Sequence, residues 1–573
     1  MRTHYPRTPH LPWSPGATAD DLRTTDLSGL VGREVVVTEK LDGENTTLYR
    51  DGLHARSLDS AHHPSRAWLK SLHGTVASAI PEGWRMCGEN MYARHSLPYD
   101  DLDSWFYAFS VWAGDRCLSW DATARFASGL GIPTPKVLWR GVFDERVLRQ
   151  LRLDLSRQEG YVVRAADGFE FADFRHRVAK WVRTGHVQTD QHWMLGPVVA
   201  NGRGPAAALW DVRAGMAPDV PALLAAVGLS DAEDLGDVVG RLDLLGRRGD
   251  ARLAGVLATM LRGQPRRRLA AELAAPLGMR LARQVADLTG LCGRLLTPLP
   301  DDERRIGLTQ LALAADLGVL HAVAAAAQPG NQEVEWSALH AEEAGLLGER
   351  PFEPLKSALR MQGLDENVAD RCWAEARCRI STAAEAIPLT WRWRSGDFPR
   401  LIAMIGPSGS GKSQFVGSLK EIGSRDVGSP GIDSPGIDEV VSLDNLRAAR
   451  GAREDQSANN AVFHHGVRQL DRALTGRRTV VWDATSLNRK QRTMFRTVAA
   501  RRNALVTDVV LLVPEDELLR RNGRRPFPVP GAVLSSQLAR FSPPYPGEAH
   551  RTWYVGASGG VEDIAGALGR EEG

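Results

Sequence analysis

Lysine is scarce in this chain: of 71 basic residues only eight are lysine, and arginine is the default cation. Cysteine is scarcer still. The five residues Cys87, Cys117, Cys292, Cys372 and Cys378 form no C-x-x-C pair, which excludes a disulfide framework and a simple zinc pair and suits a reducing compartment. No run approaches the roughly 20 apolar residues of a membrane span, and the N-terminal "MRTHYPRTPHLPW" has no apolar signal core. The expected location is the cytoplasm, away from membrane. A net charge of +2 excludes nucleic-acid binding driven by bulk charge and leaves local patches open. With 43% hydrophobic and 24% charged residues, the chain has the composition of a folded protein.

The 573 residues divide by texture into three. Residues 1–202 carry short β-like runs, "REVVVTEK", "TTLYR", "WFYAFSVW" and "GYVVRA", which read as an α+β domain. Residues 203–385 turn to Ala/Leu helical periodicity and read as an all-α middle domain. In residues 386–573, "LIAMIG", "EVVSLD", "TVVWDAT" and "TDVVLLVP" each precede a helix-like stretch, so this part reads as α/β with a parallel sheet and crossover helices. A repeated SPGID at 429–438 reads as a duplicated loop.

"LIAMIGPSGSGKSQF" is a strand, a glycine-rich loop and a helix start. Gly406, Gly411, Lys412 and Ser413 fit G-x-x-x-x-G-K-S, a P-loop. Its backbone from Gly406 through Ser408, Gly409, Ser410 and Gly411 would cradle phosphates at the helix N-terminus. Lys412 would reach the β- and γ-phosphates of ATP and Ser413 would ligate Mg2+. The next strand ends in "VSLDNLR", so Asp444 and Arg447 stand at the carboxyl edge of the sheet, where such folds hold ligands. Asp444 can accept a hydroxyl proton and Arg447 can clamp a phosphate, although D-x-x-R also fits a surface ion pair. Asp483 ends another strand. In "LLRRNGRR", Arg521 and Arg525 are spaced for one helix face, as a solvated basic helix or as a lid pair over a transferred phosphate.

"GPSGSGKS", "SLDNLR", "EDQSANNAVFHHGVRQLDRALTGRRTVVWDATSLN" and "RRNGRR" together resemble the kinase module of polynucleotide 5'-kinases over about residues 400–525. The resemblance implies Asp444 as general base, Arg447 as substrate-phosphate clamp, and Arg521 and Arg525 as lid arginines. It leaves Asp483 without a firm role, and "FPVPGAVLSSQLARF" fits no role.

In the first third, Lys40 ends a β-run and leads into Leu41, Asp42 and Gly43, giving K-x-D-G. "MCGENMYARHSLPY" follows, then "WFYAFSVW", "EGYVVR" and "VAKWVR". This ordered set resembles the covalent nucleotidyltransferases, specifically ATP-dependent RNA ligases, over residues 30–195. The resemblance implies that Lys40 attacks the α-phosphate of ATP and becomes lysyl–AMP. That explains a lysine where arginine is the rule. An amine can lose its proton once nearby cations and burial lower its pKa, whereas a guanidinium, with a pKa above ~12, cannot. The resemblance further implies that Asp42 and Gly43 border the nucleotide and that Lys180 neutralises the α-phosphate. Glu89 would hold the ribose, and Phe109, with Phe106 as rival, would stack on adenine. Glu159 would bind the catalytic metal, Mg2+ or Mn2+, and Arg56 would touch phosphates. Two positions depart from the ligase pattern: Ser110 stands where an acidic residue follows the stacking aromatic, and Val182, then Arg183, where a second lysine is usual.

The middle third offers no motif. "QPRRRLAAE" reads as a solvated helix face or an RNA-phosphate contact, and His321 and His340 as ordinary helix residues. No H-x-x-H-D or metallophosphatase pattern occurs, so 3'-end healing would fall to a separate phosphatase. The expectation is a bifunctional enzyme that phosphorylates 5'-OH RNA ends and seals 5'-phosphate to 3'-OH ends. The alternatives are the same chemistry on DNA, a catalytically decayed RNA-binding scaffold, or a small-molecule kinase in the last third.

Overall fold

The computed structural model describes residues 2–58, 62–185, 197–377, 383–422, 436–449, 459–525 and 528–568. Cys378, most of "KWVRTGHVQTDQHW" and most of the SPGID repeat lie outside them, as does the start of the "EDQSANN" stretch. The chain forms two compact units, Met1–Ala232 with Val239–Val256, and Glu233–Val238 with Leu257–Gly573.

In the first unit, ten strands make two antiparallel sheets. They are β1 (Glu34–Lys40), β2 (Glu44–Tyr49), β3 (Gly52–Ala55), β4 (Trp84–Asn90), β5 (Phe106–Ala113), β6 (Arg116–Cys117), β7 (Val137–Val142), β8 (Gly160–Ala165), β9 (Phe169–Glu170) and β10 (Val178–Val182). The strand orders are β10-β8-β1-β7 and β3-β2-β4-β5-β6-β9. β1 carries Val35, Val36 and Val37, all fully buried, so β-branched residues fill both faces of a covered strand. The chain passes from one sheet to the other through Leu41, Asp42 and Gly43. A Cβ on Gly43 would stand 2.5 Å from the Asn90 carbonyl oxygen, so only glycine lets the turn lie this close to β4. The K-x-D-G motif therefore sits at the seam of the two sheets.

The helical stretch divides. Its first helices, beginning with Ala207–Arg213, belong to the first unit. There Arg252, 1% exposed, donates to the Val212 carbonyl at 2.6 Å and pairs with Asp243 at 2.9 Å. The guanidinium thus satisfies a carbonyl at a helix end. The helices after residue 257 belong with the P-loop region.

In that second unit, β11 (Arg400–Ile405), β12 (Glu439–Ser442), β13 (Thr479–Asp483), β14 (Leu505–Leu511), β15 (Arg551–Val555) and β16 (Val561–Ala565) form one sheet, ordered β12-β13-β11-β14-β15-β16. The first five are parallel, as the strand–helix alternation predicts. β16 is antiparallel and makes the sheet mixed. Helices of the middle stretch are bolted to this sheet by buried charge. Arg283 on Met279–Leu295 meets Asp563 of β16 at 2.7 Å. On Glu366–Arg377, Asp370 meets Arg551 at 3.2 Å, and Arg377 donates to the Ala549 carbonyl at 2.7 Å.

His550 lies in the same network. Its Nδ1 accepts the Val506 N–H at 2.8 Å, which requires a neutral ring. Burial, then Arg371, Arg377, Arg551 and Arg496, holds its pKa well below the ordinary value. An unfolded imidazole takes its proton near ~6.5, and the folded one resists until lower pH. The unfolded state therefore binds more protons in that window, and stability falls as pH drops through it. Thermal melts of the full chain from about pH 7 to 5 should show this decline. His550→Asn, which keeps an acceptor and cannot charge, should flatten it.

Candidate functional site

The first unit gathers charge at the end of β1. The Lys40 ammonium is ion-paired with Glu159, just before β8, and donates to the Leu41 carbonyl at 3.4 Å. The two side chains are 21% and 7% exposed. Register explains the placement of the second lysine. Lys40 pairs with Gly160 on one side of β8 and Lys180 with Val162 on the other. Positions 160 and 162 share a face, so both lysines stand on the same side of the sheet.

Their protonation differs in direction. Burial presses the Lys40 amine down, but Glu159, Glu89 and Asp42 outweigh it, so its pKa stands above the ordinary lysine value. This corrects the expectation of an amine freed by burial and neighbouring cations: carboxylates are nearest, and they keep it charged. Lys180 is held below the ordinary value by burial and then by Lys40, with Arg56 adding to the effect. Glu89 on β4 accepts the Gly43 N–H at 3.3 Å. Burial pushes its pKa up to about 7, with Glu159 and Asp42 reinforcing and Lys40 opposing.

The Asp42 carboxylate accepts the Ser96 and Leu97 N–H groups at 2.9 and 3.1 Å, so it braces the turn beside Lys40. Phe106 is fully buried and stands so close to Gly88 that a Cβ there would be 2.4 Å from its ring, which assigns it to the core and removes it as a stacking surface. Phe109 is half-buried, with Tyr5 edge-on at 5.2 Å and the Arg164 guanidinium 5.9 Å from its ring. Arg56 is exposed at the end of β3. At the two departures, Ser110 is buried against Cys117 and Val182 is buried in β10. Arg183 donates its N–H to the Glu159 carbonyl at 3.1 Å. Its guanidinium Nε and Nη2 are buried with no hydrogen-bond partner among the described residues.

The N-terminal segment completes this site, and no residue pattern announces it. Pro9 accepts the Lys180 N–H at 2.9 Å, and Leu11 donates to the Lys180 carbonyl at 2.8 Å. Asp21 acts electrostatically on Lys180.

The donor set fits a divalent cation in one respect. Three carboxylates, those of Glu159, Glu89 and Asp42, act on one lysine. No three His, Cys, Asp or Glu among the described residues converge closely enough to hold an ion by themselves. An ion at Glu159 would therefore complete its shell with phosphate oxygens and water.

The second unit holds the glycine-rich loop. The loop runs from β11 to α1 (Lys412–Ile422). Gly409 and Gly411 have φ of 85° and 99°, values that side chains strain to adopt. Gly406 donates its N–H to the Thr485 carbonyl at 3.0 Å, tying the loop to the segment after β13. Lys412 donates to the Gly406 and Pro407 carbonyls at 3.0 and 2.8 Å. Burial pulls its pKa down to about 8, with Asp483 and Asp444 opposing and Arg525 adding. Ser413 is exposed at the start of α1. The Ser410 hydroxyl is buried with no hydrogen-bond partner among the described residues.

Neighbouring strands bring their ends to the loop. Ser442 faces Asp483 across β12 and β13 and donates to its carboxylate at 3.2 Å. Asp444 and Arg447, on α2 (Leu443–Ala448), form an ion pair. On α3 (Glu515–Gly523), Arg521 pairs with Glu517 at 2.6 Å and donates to the Ala557 carbonyl at 2.7 Å. A Cβ on Gly411 would stand 3.8 Å from its Nη1. The expectation of Arg521 and Arg525 on one helix face is corrected: α3 ends at Gly523, and Arg525 lies past it, exposed. Glycine, a poor helix former, stops the helix before the second arginine.

Residues 33–182 match the family model described as RNA ligase, and residues 401–544 match the model described as AAA domain. No curated protein matches the chain. Among solved structures, a Naegleria gruberi RNA ligase variant with ATP and Mn shares 16% identity over 31% of this chain and 60% of that one, with a TM-score of 0.22. An archaeal ATP-dependent RNA ligase shares 13% over 37% and 50%, TM-score 0.23. A gluconokinase from Sinorhizobium meliloti shares 21% over 28% and 84%, TM-score 0.21. The chain spans 50% to 60% of these ligases' length. One polypeptide carries a stretch that matches the RNA ligase model, a helical middle region and a P-loop stretch that matches the AAA-domain model.

Proposed function

We propose that this chain heals and seals RNA ends with ATP. The kinase-like domain transfers the γ-phosphate of ATP to a 5'-hydroxyl. Lys412 and the loop amides hold the β- and γ-phosphates, apart from the amides expected at Gly406 and Ser408, which donate to Thr485 and Gln537 instead, and Asp444 takes the hydroxyl proton. Arg447, released from Asp444, grips the substrate phosphate, and Arg521 offsets charge that develops on the transferred group. Ser413 and Asp483 would hold Mg2+.

In the ligase-family domain, Lys40 gives up a proton to solvent and its neutral amine attacks the α-phosphate of a second ATP; a phosphorus–nitrogen bond forms as the bond to pyrophosphate breaks, and pyrophosphate leaves. AMP then passes to the 5'-phosphate made by the kinase. A 3'-hydroxyl attacks that phosphate, and AMP departs with the bonding electrons. Glu159 would hold a divalent ion, Mg2+ or Mn2+, which supplies positive charge against the carboxylates that keep Lys40 protonated. Lys180, with its depressed pKa, offsets charge on the α-phosphate. Glu89 holds the ribose and Phe109 stacks on the base.

The observation that carries the reading is the pairing of two different lysine sites in one chain. Lys40 sits among Glu159, Glu89 and Asp42 beside Lys180, and Lys412 sits in a glycine cradle beside Asp483 and Asp444. The product of the second site is the substrate of the first. RNA with 3'-phosphate ends would need a separate phosphatase before sealing.

The test uses a labelled RNA strand with hydroxyls at both ends, the full chain, ATP and Mg2+. Circles are expected on a denaturing gel. Lys40→Arg should stop at a 5'-phosphorylated line, and Asp444→Ala at an unmodified one. Supplying a 5'-phosphorylated strand should let Asp444→Ala close circles again. Closure of DNA in preference to RNA would move the substrate, and absence of both phosphate and AMP transfer would overturn the reading.

A further inference from the structure

The helix α4 (Gly531–Arg540) has no part in the reaction proposed above, yet it reaches the P-loop. The carboxamide oxygen of Gln537 accepts the Ser408 N–H at 2.8 Å. A backbone N–H only donates, so the oxygen of this amide must face the loop and its nitrogen must turn away. A cavity of about 270 Å³ is lined by Pro407 of the loop, Leu518 of α3 and Ser535 and Leu538 of α4.

A pair of hydrogen bonds fixes the lead into α4. Asn522 donates to the Val529 carbonyl at 2.8 Å and accepts the Val529 N–H at 2.9 Å. Asn522 is 8% exposed and follows Arg521 directly in α3. A Cβ on Gly409 would stand 3.4 Å from the Leu518 carbonyl oxygen, so α3 also lies against the loop. The loop is thereby held from two sides, by α3 at Gly409 and Gly411 and by α4 at Ser408.

We infer that Gln537 is a positioning residue that sets the P-loop for nucleotide through the Ser408 N–H, with Asn522 aligning α4 for that contact. The inference rests on the kinase reading. Glycines at 409 and 411 give the loop freedom. Fixing Ser408 from outside removes that freedom before nucleotide arrives, so less ordering is left to binding.

The experiment measures phosphorylation of a 5'-OH RNA oligonucleotide by the full chain as ATP is varied. Gln537→Leu cannot accept and should raise KM for ATP several-fold, to about tenfold, the worth of one hydrogen bond, with kcat within about twofold. Gln537→Glu keeps an acceptor and should recover part of the loss. Asn522→Ala should shift KM in the same direction, and the double variant Asn522→Ala/Gln537→Leu should go no further than Gln537→Leu alone. An unchanged KM overturns the inference, as does a fall in kcat and melting temperature at constant KM. If the wild type phosphorylates no 5'-OH end, the kinase reading fails separately. The readout is then the rise in melting temperature on adding ATP that Lys412→Ala removes. A smaller rise in Gln537→Leu supports the inference; an equal rise, or none in the wild type, overturns it.

Discussion

Lys40→Arg is expected to leave the chain folded and to abolish its covalent labelling by ATP carrying a radioactive α-phosphate, by at least about 10³-fold. Arginine keeps a cation against Glu159, which is only 5% exposed, so the buried carboxylate retains a partner. What it loses is a nitrogen that can give up its proton, since the guanidinium pKa lies above ~12. Lys40→Ala should lose the label too, but with a drop in stability, because it strands Glu159; breaking a buried pair costs about 3–5 kcal/mol. Comparing the two separates chemistry from folding. Lys180→Ala should still bind ATP and label slowly, since that residue offsets charge and forms no bond. Label retained on Lys40→Arg at wild-type rate would mean that another residue is the nucleophile. Omission of divalent ion should suppress labelling in the wild type, because only added positive charge relieves the carboxylates that hold Lys40 protonated.

Asp370→Ala is expected to be the most destabilising single change in the second unit. Asp370 has no exposed surface, meets Arg551 at 3.2 Å and accepts the Leu568 N–H at 2.7 Å. Arg551 is itself 5% exposed and, among the described residues, keeps a hydrogen bond to Thr507 at 2.6 Å and the Trp553 ring at 5.3 Å, with no carboxylate, when its partner goes. An uncompensated buried guanidinium costs about 3–5 kcal/mol, enough to lower the melting temperature of the full chain by several degrees. The same contacts predict what truncation does. A fragment starting at residue 386, where the sequence changes from helical periodicity to strand–helix alternation, lacks Asp370, Arg371 and Arg377, which close over β15. It should be insoluble or unfolded by circular dichroism, whereas one starting at residue 257 should melt cooperatively. A short fragment as stable as the long one would show that the helices are not part of this folding unit.

What sequence by itself determined is what local geometry dictates. G-x-x-x-x-G-K-S after an apolar strand requires a loop with positive φ at glycine, and Gly409 and Gly411 adopt it. Alternation of strand and helix predicts a parallel sheet, and strand ends put Asp444 and Asp483 at one edge. The scarcity of lysine singles out Lys40 and Lys412 because the chemistry of an amine differs from that of a guanidinium wherever it sits. Tertiary structure decided the rest. Lys40 and Glu159 are 119 residues apart, and Ser408 and Gln537 are 129 apart, so no local pattern links them. The protonation of Lys40 followed from which charges came nearest, and carboxylates did, where sequence counts only arginines. Phe106 and Phe109 were told apart by burial, since two phenylalanines three apart on a strand look alike until one face is covered. The antiparallel β16, the N-terminal segment beside Lys180 and the Asp370–Arg551 pair are set by long-range packing. Their residues are ordinary in composition, and only the partners they meet give them a role.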